Sequence, residues 1–266
     1  MARSGKAAGL CACASLALLC AAKPAEAAEI TQAAEITVYC TGAPIGAVRE
    51  IAARFSAETS DRVRFKVGQP AVLEEDLAAG RKADVVILPS PVIAKLAGEG
   101  TLRPESAIDL ARVGIGVAVR AGAATPDISS VEALRKALRD AHSIAYPDPR
   151  SGGGSAGIAI EQMIAQMGIA EEVEKKRLRE AAIGGGVALV ARGKADIGLF
   201  NISEILAVHG VTLVGPLPAQ LQHFITFTAA IATRTTAPSD AELLVKQLHD
   251  PQMRQAWRHA GLDPLE

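Results

Sequence analysis

The chain has little cysteine and few aromatic residues. The scarcity of cysteine excludes a small fold held together by disulfides. Four cysteines occur in 266 residues, and aromatic residues make up 3% of the sequence. Only Cys40 lies beyond residue 27, so no internal disulfide can hold that part of the chain together. Because Cys40 ends an apolar run, we expect it to be a small buried hydrophobic side chain rather than a reactive thiol.

The chain also lacks a long uncharged apolar stretch, although its first 27 residues are rich in alanine and leucine. Arg3 and Lys6 precede a short apolar run, and Ala25–Ala27 reads A-E-A, an A-x-A cleavage site. The run is too short and too rich in small residues for a membrane span. A lipoprotein signal fits less well because Cys20 follows two leucines. We therefore expect a secretory signal peptide over residues 1–27 and a periplasmic protein.

An excess of basic charge is missing as well. The chain has 28 basic and 29 acidic residues, and removal of residues 1–27 makes its net charge more negative. This balance argues against a nucleic-acid partner, because such proteins match the phosphate charge with lysine and arginine.

Catalytic and metal-binding motifs are equally scarce. The sequence contains no His-x-x-x-His, Cys-x-x-Cys or Gly-x-Ser-x-Gly pattern, and its five histidines are scattered. Asp148, Arg150 and Glu204 are the ionisable residues near the glycine-rich segment described below. We therefore expect a protein that is not an enzyme and that needs no metal or other cofactor.

Strand-length apolar runs alternate with helix-length periodic segments from Ile36 onward. This alternation predicts an α/β fold of two lobes, each with a mainly parallel sheet flanked by helices. The strands are predicted at 36–40, 63–67, 84–88, 143–147, 196–200 and 211–215, and the helices at 44–59, 71–80, 91–100, 154–168 and 186–193. In the C-terminal helices we expect Ser239 and Asp250 to be the N-caps.

An internal repeat supports two similar halves. The segments LAAGRKADVVIL from Leu77 and LVARGKADIGLF from Leu189 align without a gap. Each copy has an aspartate just before a strand, Asp84 and Asp196, which indicates a turn role rather than a pair of catalytic carboxylates.

Two long apolar segments, residues 111–122 and 223–233, enter and leave the second half and predict two hinge crossings. The predicted domains are a signal peptide at 1–27, a discontinuous first lobe at 28–116 plus 227–266, and a second lobe at 117–226.

The segment GGGSAG, Gly152–Gly157, matches G-x-G-x-x-G, but its context argues against a dinucleotide site. Four residues separate it from the preceding strand, and no acidic residue ends a following strand about 20 residues later. A P-loop fails because no Lys-Ser or Lys-Thr follows. Small residues before a helix do leave backbone N–H groups open to an anion, and Arg150 adds a positive charge. The alternative is a flexible loop with Arg150 in solvent.

Three further junctions offer polar groups or free amides at the start of a helix. Thr41 and Gly42 follow the first strand, and Gln69 and Pro70 follow the second. Thr41 could instead be only a helix N-cap. In the second half, the IGGGV segment at residues 183–187 forms another glycine-rich helix start.

In the order and spacing of these segments, the chain resembles the type II periplasmic solute-binding proteins, in particular the molybdate-binding branch that serves ABC importers. The segments that carry the resemblance begin at Glu35, Leu77, Asp148 and Val190. The resemblance implies a monomer that holds a small anion between two lobes and delivers it to a membrane permease. With the residues flanking these junctions, the expected ligand-binding residues are Thr41, Gly42, Gln69, Pro70, Arg150, Ser151, Gly154, Ser155, Ala156, Gly184 and Asn201.

The sequence departs from the molybdate branch at several of these positions. That branch usually has small hydroxyl residues at the first two sites and a tyrosine where Asn201 stands. An arginine such as Arg150 suits a carboxylate, whereas neutral donors suffice for a compact oxyanion. We therefore expect an organic di- or tricarboxylate ahead of molybdate, and expect Arg150→Ala to abolish carboxylate binding while barely changing molybdate binding. The alternatives are a secreted enzyme, such as a small transferase, and a sensor that presents its ligand to a membrane receptor.

Overall fold

The computed structural model describes residues 33–151, 154–178 and 185–266, and of Ser151 and Gly185 the backbone only. The predicted signal peptide lies outside this part of the chain. None of the described helices is long and apolar enough to cross a membrane. The strands are β1 (Glu35–Cys40), β2 (Arg62–Val67), β3 (Val85–Pro89), β4 (Ile108–Arg120), β5 (Ile144–Ala145), β6 (Arg177–Leu178), β7 (Ile197–Asn201), β8 (Val211–Pro216), β9 (Phe224–Ile231) and β10 (Asp263–Pro264).

Helices follow most of these strands, as the alternation predicted. They are α1 (Ile45–Thr59), α2 (Pro70–Ala78), α3 (Ser90–Gly98), α4 (Val131–Asp140), α5 (Gly154–Gln166), α6 (Ala170–Glu174), α7 (Gly185–Ala191), α8 (Ile202–Leu206), α9 (Pro238–Leu248) and α10 (Arg254–His259). Short 3-10 turns lie at Pro104–Ser106, Pro149–Ser151 and Pro251–Met253.

The first half is built on parallel strands. β1 pairs with β2 on one side and β3 on the other, both parallel, and β9 then pairs antiparallel with β3. All five residues of β3 are buried, which explains why its sequence is a continuous apolar run rather than an alternating one. Because the three strands are parallel, their carboxyl ends lie at one edge of the sheet, where α1, α2 and α3 begin.

The second half repeats this arrangement. β5 is parallel to both β6 and β7, and the first residues of β5 and β7, Ile144 and Ile197, are register partners. β7 and β8 both pair antiparallel with β4. The carboxyl ends of β5 and β7 therefore also meet at one edge, which leads into the Pro149–Ser151 turn and into α8.

β4 joins the two halves. Its residues up to Gly114 pair with β9, whereas β7 and β8 take over from Ile115 and Gly116 respectively. The hydrophobic clusters divide at the same place, with Val113 in a cluster of the first half and Ile115 in one of the second. The chain thus forms two lobes, and β4 and the segment before β9 cross between them. These two crossings add antiparallel pairs to the parallel strands of each lobe.

The two repeated aspartates have matching structural roles. The Oδ2 atom of Asp84 accepts the backbone N–H of Thr37 at 2.8 Å, and Oδ2 of Asp196 accepts that of His142 at 2.8 Å. The backbone N–H of Asp84 donates to the Thr37 carbonyl, and that of Asp196 to the Ser143 carbonyl. Each aspartate therefore ties the turn before its strand to the start of the neighbouring parallel strand. The prediction of a turn role is confirmed.

The C-terminal helices pack on the first half. Trp257 is 1% exposed and donates its indole N–H to the Leu248 carbonyl at 3.0 Å. The Asp250 side chain caps the turn that follows α9 by accepting from the N–H of Gln252 at 2.7 Å. Ser239 is not an N-cap, because α9 already begins at Pro238.

Candidate functional site

The first half presents two strand-to-helix junctions at its carboxyl edge. The N–H of Thr41 donates to the Ile87 carbonyl at 3.3 Å, so this amide is not free for a ligand. The Thr41 hydroxyl does not cap α1, whose N-cap is Pro44. Gln69 is the N-cap residue of α2 without a side-chain cap bond, and Pro70 occupies the first turn. The side-chain hydroxyl of Thr41 and the side-chain amide of Gln69 have no hydrogen-bond partner within the described part of the chain.

In the second half, the glycine-rich segment folds tightly against the start of α5. Gly157 lies so close to the preceding loop that a Cβ atom there would stand 2.5 Å from the Pro147 carbonyl oxygen. Gly154 has a φ of +62°, which favours glycine because other residues are strained there. Ser155 follows in the first turn of α5. Glycines at these positions are therefore required by the backbone path, whatever the ligand.

The starts of α5 and α2 meet across the two halves. A Cβ atom on Gly154 would lie 3.8 Å from the Cγ and Cδ atoms of Pro70. Ala156, although it belongs to α5, is 4% exposed and lies in the hydrophobic cluster of the first half together with Ala43 and Val48. Two predicted ligand-binding segments, one from each half, are thus brought together.

The loop after β5 is held by a buried arginine, Arg177, which no sequence motif indicated. The side chain of Arg177 is 1% exposed, and its guanidinium lies 4.0 Å from the ring centroid of Tyr146. Its nitrogens lie 2.6 Å from Oε1 of Glu161 and 3.2 Å from Oδ1 of Asp148. Arg177 therefore connects the loop after β5 to α5 and β6.

The charges around Arg177 also act on its neighbours. Burial raises the pKa of Tyr146 to about 12, so its hydroxyl stays protonated. Burial acts to raise the pKa of Asp148, but the N–H of Arg150 and the positive charges of Arg177 and Arg150 hold that pKa below its usual range. Asp148 is therefore an ionised structural residue and not a proton donor.

Arg150 is less available to a ligand than its position in the sequence indicates. Its side chain is 65% exposed, with Nε 3.6 Å from Oδ1 of Asp148 and Nη2 3.9 Å from Oε1 of Glu174. These carboxylates partly neutralise its charge, so a ligand must compete with them for the guanidinium.

Asn201 ends β7 at the same edge as this loop and is 6% exposed. Its Nδ2 group donates to Oε2 of Glu204 at 3.0 Å. Within the described residues, Oδ1 of Asn201 and Oγ of the neighbouring Ser203 are buried without a hydrogen-bond partner. Burial raises the pKa of Glu204 to about 7, although the hydrogen bonds from Asn201 oppose this rise. The junction of β7 and α8 therefore combines two polar groups that lack a hydrogen bond with a carboxyl group whose pKa is near neutral.

The other candidate groups have structural roles or fall outside the described residues. Cys40 is fully buried and burial raises its pKa, so the prediction of an inert thiol is confirmed. Across the described ranges, no three His, Cys, Asp or Glu side chains are grouped so that they could hold a metal ion. Gly184, the first two glycines of the GGGSAG segment and the Ser151 side chain lie outside the described residues.

Comparison with known proteins identifies the family. The model of a family described as bacterial extracellular solute-binding protein matches residues 36–263. The chain belongs to this family. The matched range spans both halves, in agreement with the two-lobed fold and with the resemblance seen in the sequence.

Individual relatives of this solute-binding protein differ in what they bind. The chain is 30% identical over 254 residues to an aconitate isomerase from a Pseudomonas species, covering 94% of each chain. The sulfate-binding protein SubI from Mycobacterium tuberculosis has a TM-score of 0.72 at 21% identity, covering 88% of each chain. The periplasmic molybdate-binding protein of Azotobacter vinelandii has a TM-score of 0.70 at 18% identity, covering 87% of this chain and 100% of its own. The two structural relatives establish the shared fold.

Proposed function

We propose that the protein binds a small organic polycarboxylate between its two lobes in the periplasm and delivers it, as a monomer, to the permease of an ABC transporter. The observation that carries this proposal is the meeting of Gly154 and Pro70, at the starts of two helices from opposite halves. Backbone N–H groups at the start of a helix stabilise negative charge through hydrogen bonds and the helix dipole. A ligand held from both sides would favour the closed arrangement of the lobes.

The preference for an organic acid over a metal oxyanion has two supports. The relative named as acting on aconitate is 30% identical along nearly the whole chain, whereas the molybdate- and sulfate-binding relatives are similar in fold only. The contacts proposed here also include Gln69, Asn201 and Arg150, which are larger than the hydroxyl side chains expected around a compact oxyanion.

The domain arrangement that this function requires is also a proposal. The first lobe would comprise residues 28–116 and 227–266, and the second lobe residues 117–226. The change of partners along β4 near Gly114 and Ile115 supports these bounds on one side, and the split between Leu221 and Ile225 in the hydrophobic clusters supports them on the other.

Isothermal titration calorimetry tests the proposed function directly. The purified protein is titrated with citrate, trans-aconitate, cis-aconitate and tricarballylate, and with sulfate, molybdate and tungstate as the competing class. We expect saturable binding of at least one polycarboxylate and weak or no binding of the inorganic anions. Tight binding of molybdate or sulfate alone would refute the polycarboxylate assignment, and absence of binding by every anion would refute the function.

The identity with an aconitate isomerase favours a second candidate, in which the same cleft catalyses an isomerisation. In aconitate a methylene group next to the double bond is also next to a carboxylate. Removal of one methylene proton gives a delocalised anion. When a proton is added back at the far carbon of the original double bond, that bond shifts without any oxidant or cofactor. Glu204, whose pKa burial raises to about 7, is the described carboxyl group best suited to exchange that proton.

Proton NMR distinguishes the two candidates. The protein is incubated with trans-aconitate in D₂O, and the alkene signals of the two isomers are followed over time. A binding protein leaves the ratio of isomers unchanged even when it is present in stoichiometric amount. Catalytic formation of cis-aconitate, with deuterium entering the methylene group, would establish the enzyme instead.

A further inference from the structure

The side-chain amide of Asn201 has a donor end and an acceptor end, and the donor end is bonded to Glu204. In the structure Nδ2 donates to Oε2 of Glu204 at 3.0 Å, and Oδ1 is buried without a partner among the described residues. This is the arrangement for an ionised Glu204, since a carboxylate can only accept hydrogen bonds. It leaves Oδ1 of Asn201, a buried acceptor, without a hydrogen-bond donor among the described residues.

A carbonyl oxygen is the wrong group to meet an anion. A negatively charged ligand at Asn201 would be repelled by Oδ1, and the buried oxygen would still lack a hydrogen bond. If Glu204 carries a proton, its O–H can donate to Oδ1 when the amide is turned over. The two N–H bonds of Nδ2 then face the ligand, and every polar atom of Asn201 has a partner.

We propose that Asn201 binds the anion through its Nδ2 group and that Glu204 takes up one proton when it does so. Glu204 is then a positioning residue, and the ligand and the proton bind together. This inference rests on the proposed function, because it requires that the anion reaches Asn201.

The surroundings of Glu204 allow such a proton to bind at little cost. α8 packs on β4, β7 and β8 and on the turn at Gly261 that follows α10. β7 and β8 carry no titratable residue. Near the turn, Arg258 and His259 are exposed and Asp263 faces Arg112. The charged residues of β4 contact other groups. Asp109 is bonded to Thr228, Arg112 lies 3.6 Å from the Asp263 carboxylate, and Arg120 lies against Gly193.

The pKa of Glu204, about 7, reflects burial opposed by the hydrogen bonds from Asn201. About half of the free protein already carries the proton at pH 7. The carboxyl oxygen that is not protonated can still accept the backbone N–H of Asn201.

Calorimetry with tricarballylate tests the proposal, since this saturated tricarboxylate cannot be isomerised. Titrations are run at pH 6, 7 and 8 in pairs of buffers that differ in their heat of ionisation, which gives the number of protons taken up. We expect uptake of nearly one proton at pH 8 and a loss of about fivefold in affinity from pH 7 to pH 8.

The variant Glu204→Gln replaces the protonated carboxyl by an amide that can always donate to Oδ1 of Asn201. Its affinity should equal that of the wild type at pH 6 and exceed it about tenfold at pH 8. At pH 8 the variant should take up about one proton fewer than the wild type when the ligand binds. The difference between the two proteins removes any proton taken up by the ligand itself. Glu171→Gln, an exposed residue of α6, is the matched control and should behave as the wild type.

Each outcome decides between specific statements. Equal proton uptake in the wild type and Glu204→Gln, or a pH-independent affinity of the wild type, overturns the inference while leaving polycarboxylate binding intact. Absence of tricarballylate binding in both proteins counts against the inference, whereas the proposed function is refuted only if no anion of the larger series binds. If Glu204→Gln does not fold, Glu204→Ala, which also removes the titrating carboxyl group, takes its place in the comparison of proton uptake.

Discussion

Glu204 lowers stability at neutral pH if it is left ionised in its partly buried position. Its pKa is about 7 in the folded chain, against 4.5 for an ordinary glutamate. Between these two values the folded state binds more protons than the unfolded state, so the free energy of unfolding falls as the pH rises through this window. A shift of this size corresponds to about 3 kcal/mol at pH 8. Such a cost is typical of a residue retained for function rather than for stability.

The variant Glu204→Gln should remove this pH dependence because glutamine stays neutral. We expect the free energy of unfolding, measured with urea at pH 5 and pH 8, to fall less with pH in the variant than in the wild type, by about 2 to 3 kcal/mol. The control Glu171→Gln should follow the wild type. If the wild type and Glu204→Gln respond equally to pH, then Glu204 titrates as an ordinary exposed carboxyl.

At the scale of a single element, the start of α5 depends on the close approach of its backbone to the loop after β5. An added Cβ atom at Gly157 would lie 2.5 Å from the Pro147 carbonyl oxygen and 3.1 Å from Cδ of Pro149. Backbone atoms cannot yield as the end of a flexible side chain does. The loop and the helix start must therefore separate if residue 157 has a side chain.

The variant Gly157→Ala should lower the free energy of unfolding by about 2 kcal/mol and weaken anion binding at least about tenfold. Urea unfolding and calorimetry with a polycarboxylate measure the two effects. Gly98→Ala, at the end of α3, is the matched control because an added Cβ atom there meets nothing within 4 Å. A Gly157→Ala protein that binds as tightly as the wild type would show that this helix start does not contact the ligand.

At the scale of the whole molecule, the crossing between the lobes is fixed at one point by a side chain. Gln222 accepts the N–H of Ile115 at 2.9 Å and donates to the carbonyl of the same residue at 3.0 Å. Ile115 is the residue at which β4 leaves β9 and begins to pair with β7. The Gln222 amide, together with the backbone N–H of Leu217, which donates to the same carbonyl, thus completes the bonding of Ile115 where the two sheets separate along β4.

The variant Gln222→Ala should loosen the crossing. We expect the ligand-free protein to have a larger radius of gyration by small-angle X-ray scattering and to be less stable by about 2 kcal/mol, since two hydrogen bonds are lost. Saturating ligand should restore the wild-type radius, because closure buries the ligand between the lobes. Gln247→Ala, which removes an exposed bond to Glu58, should change neither quantity. An unchanged radius for Gln222→Ala would place the flexible point elsewhere.

The sequence by itself determined the alternation of strands and helices, the two lobes and the family. Apolar runs such as that of β3 can be recognised because a buried parallel strand leaves no place for polar side chains. The repeated Lys-Ala-Asp turns could likewise be read locally, since Asp84 and Asp196 both bond to the start of a neighbouring strand. The further bond from Thr235 to Asp84 could not be read in this way. These features depend on short-range patterns that the chain displays in order.

The tertiary structure alone decided which groups are available to a ligand. Arg150 looked free in the sequence but is paired with Asp148 and Glu174, whereas Arg177 gave no signal and is the arginine buried beneath the loop. The amide of Thr41 is used by Ile87, and the titration of Glu204 follows from its burial. Hydrogen-bond partners, ion pairs and desolvation depend on residues far apart in the chain, so no local pattern can specify them.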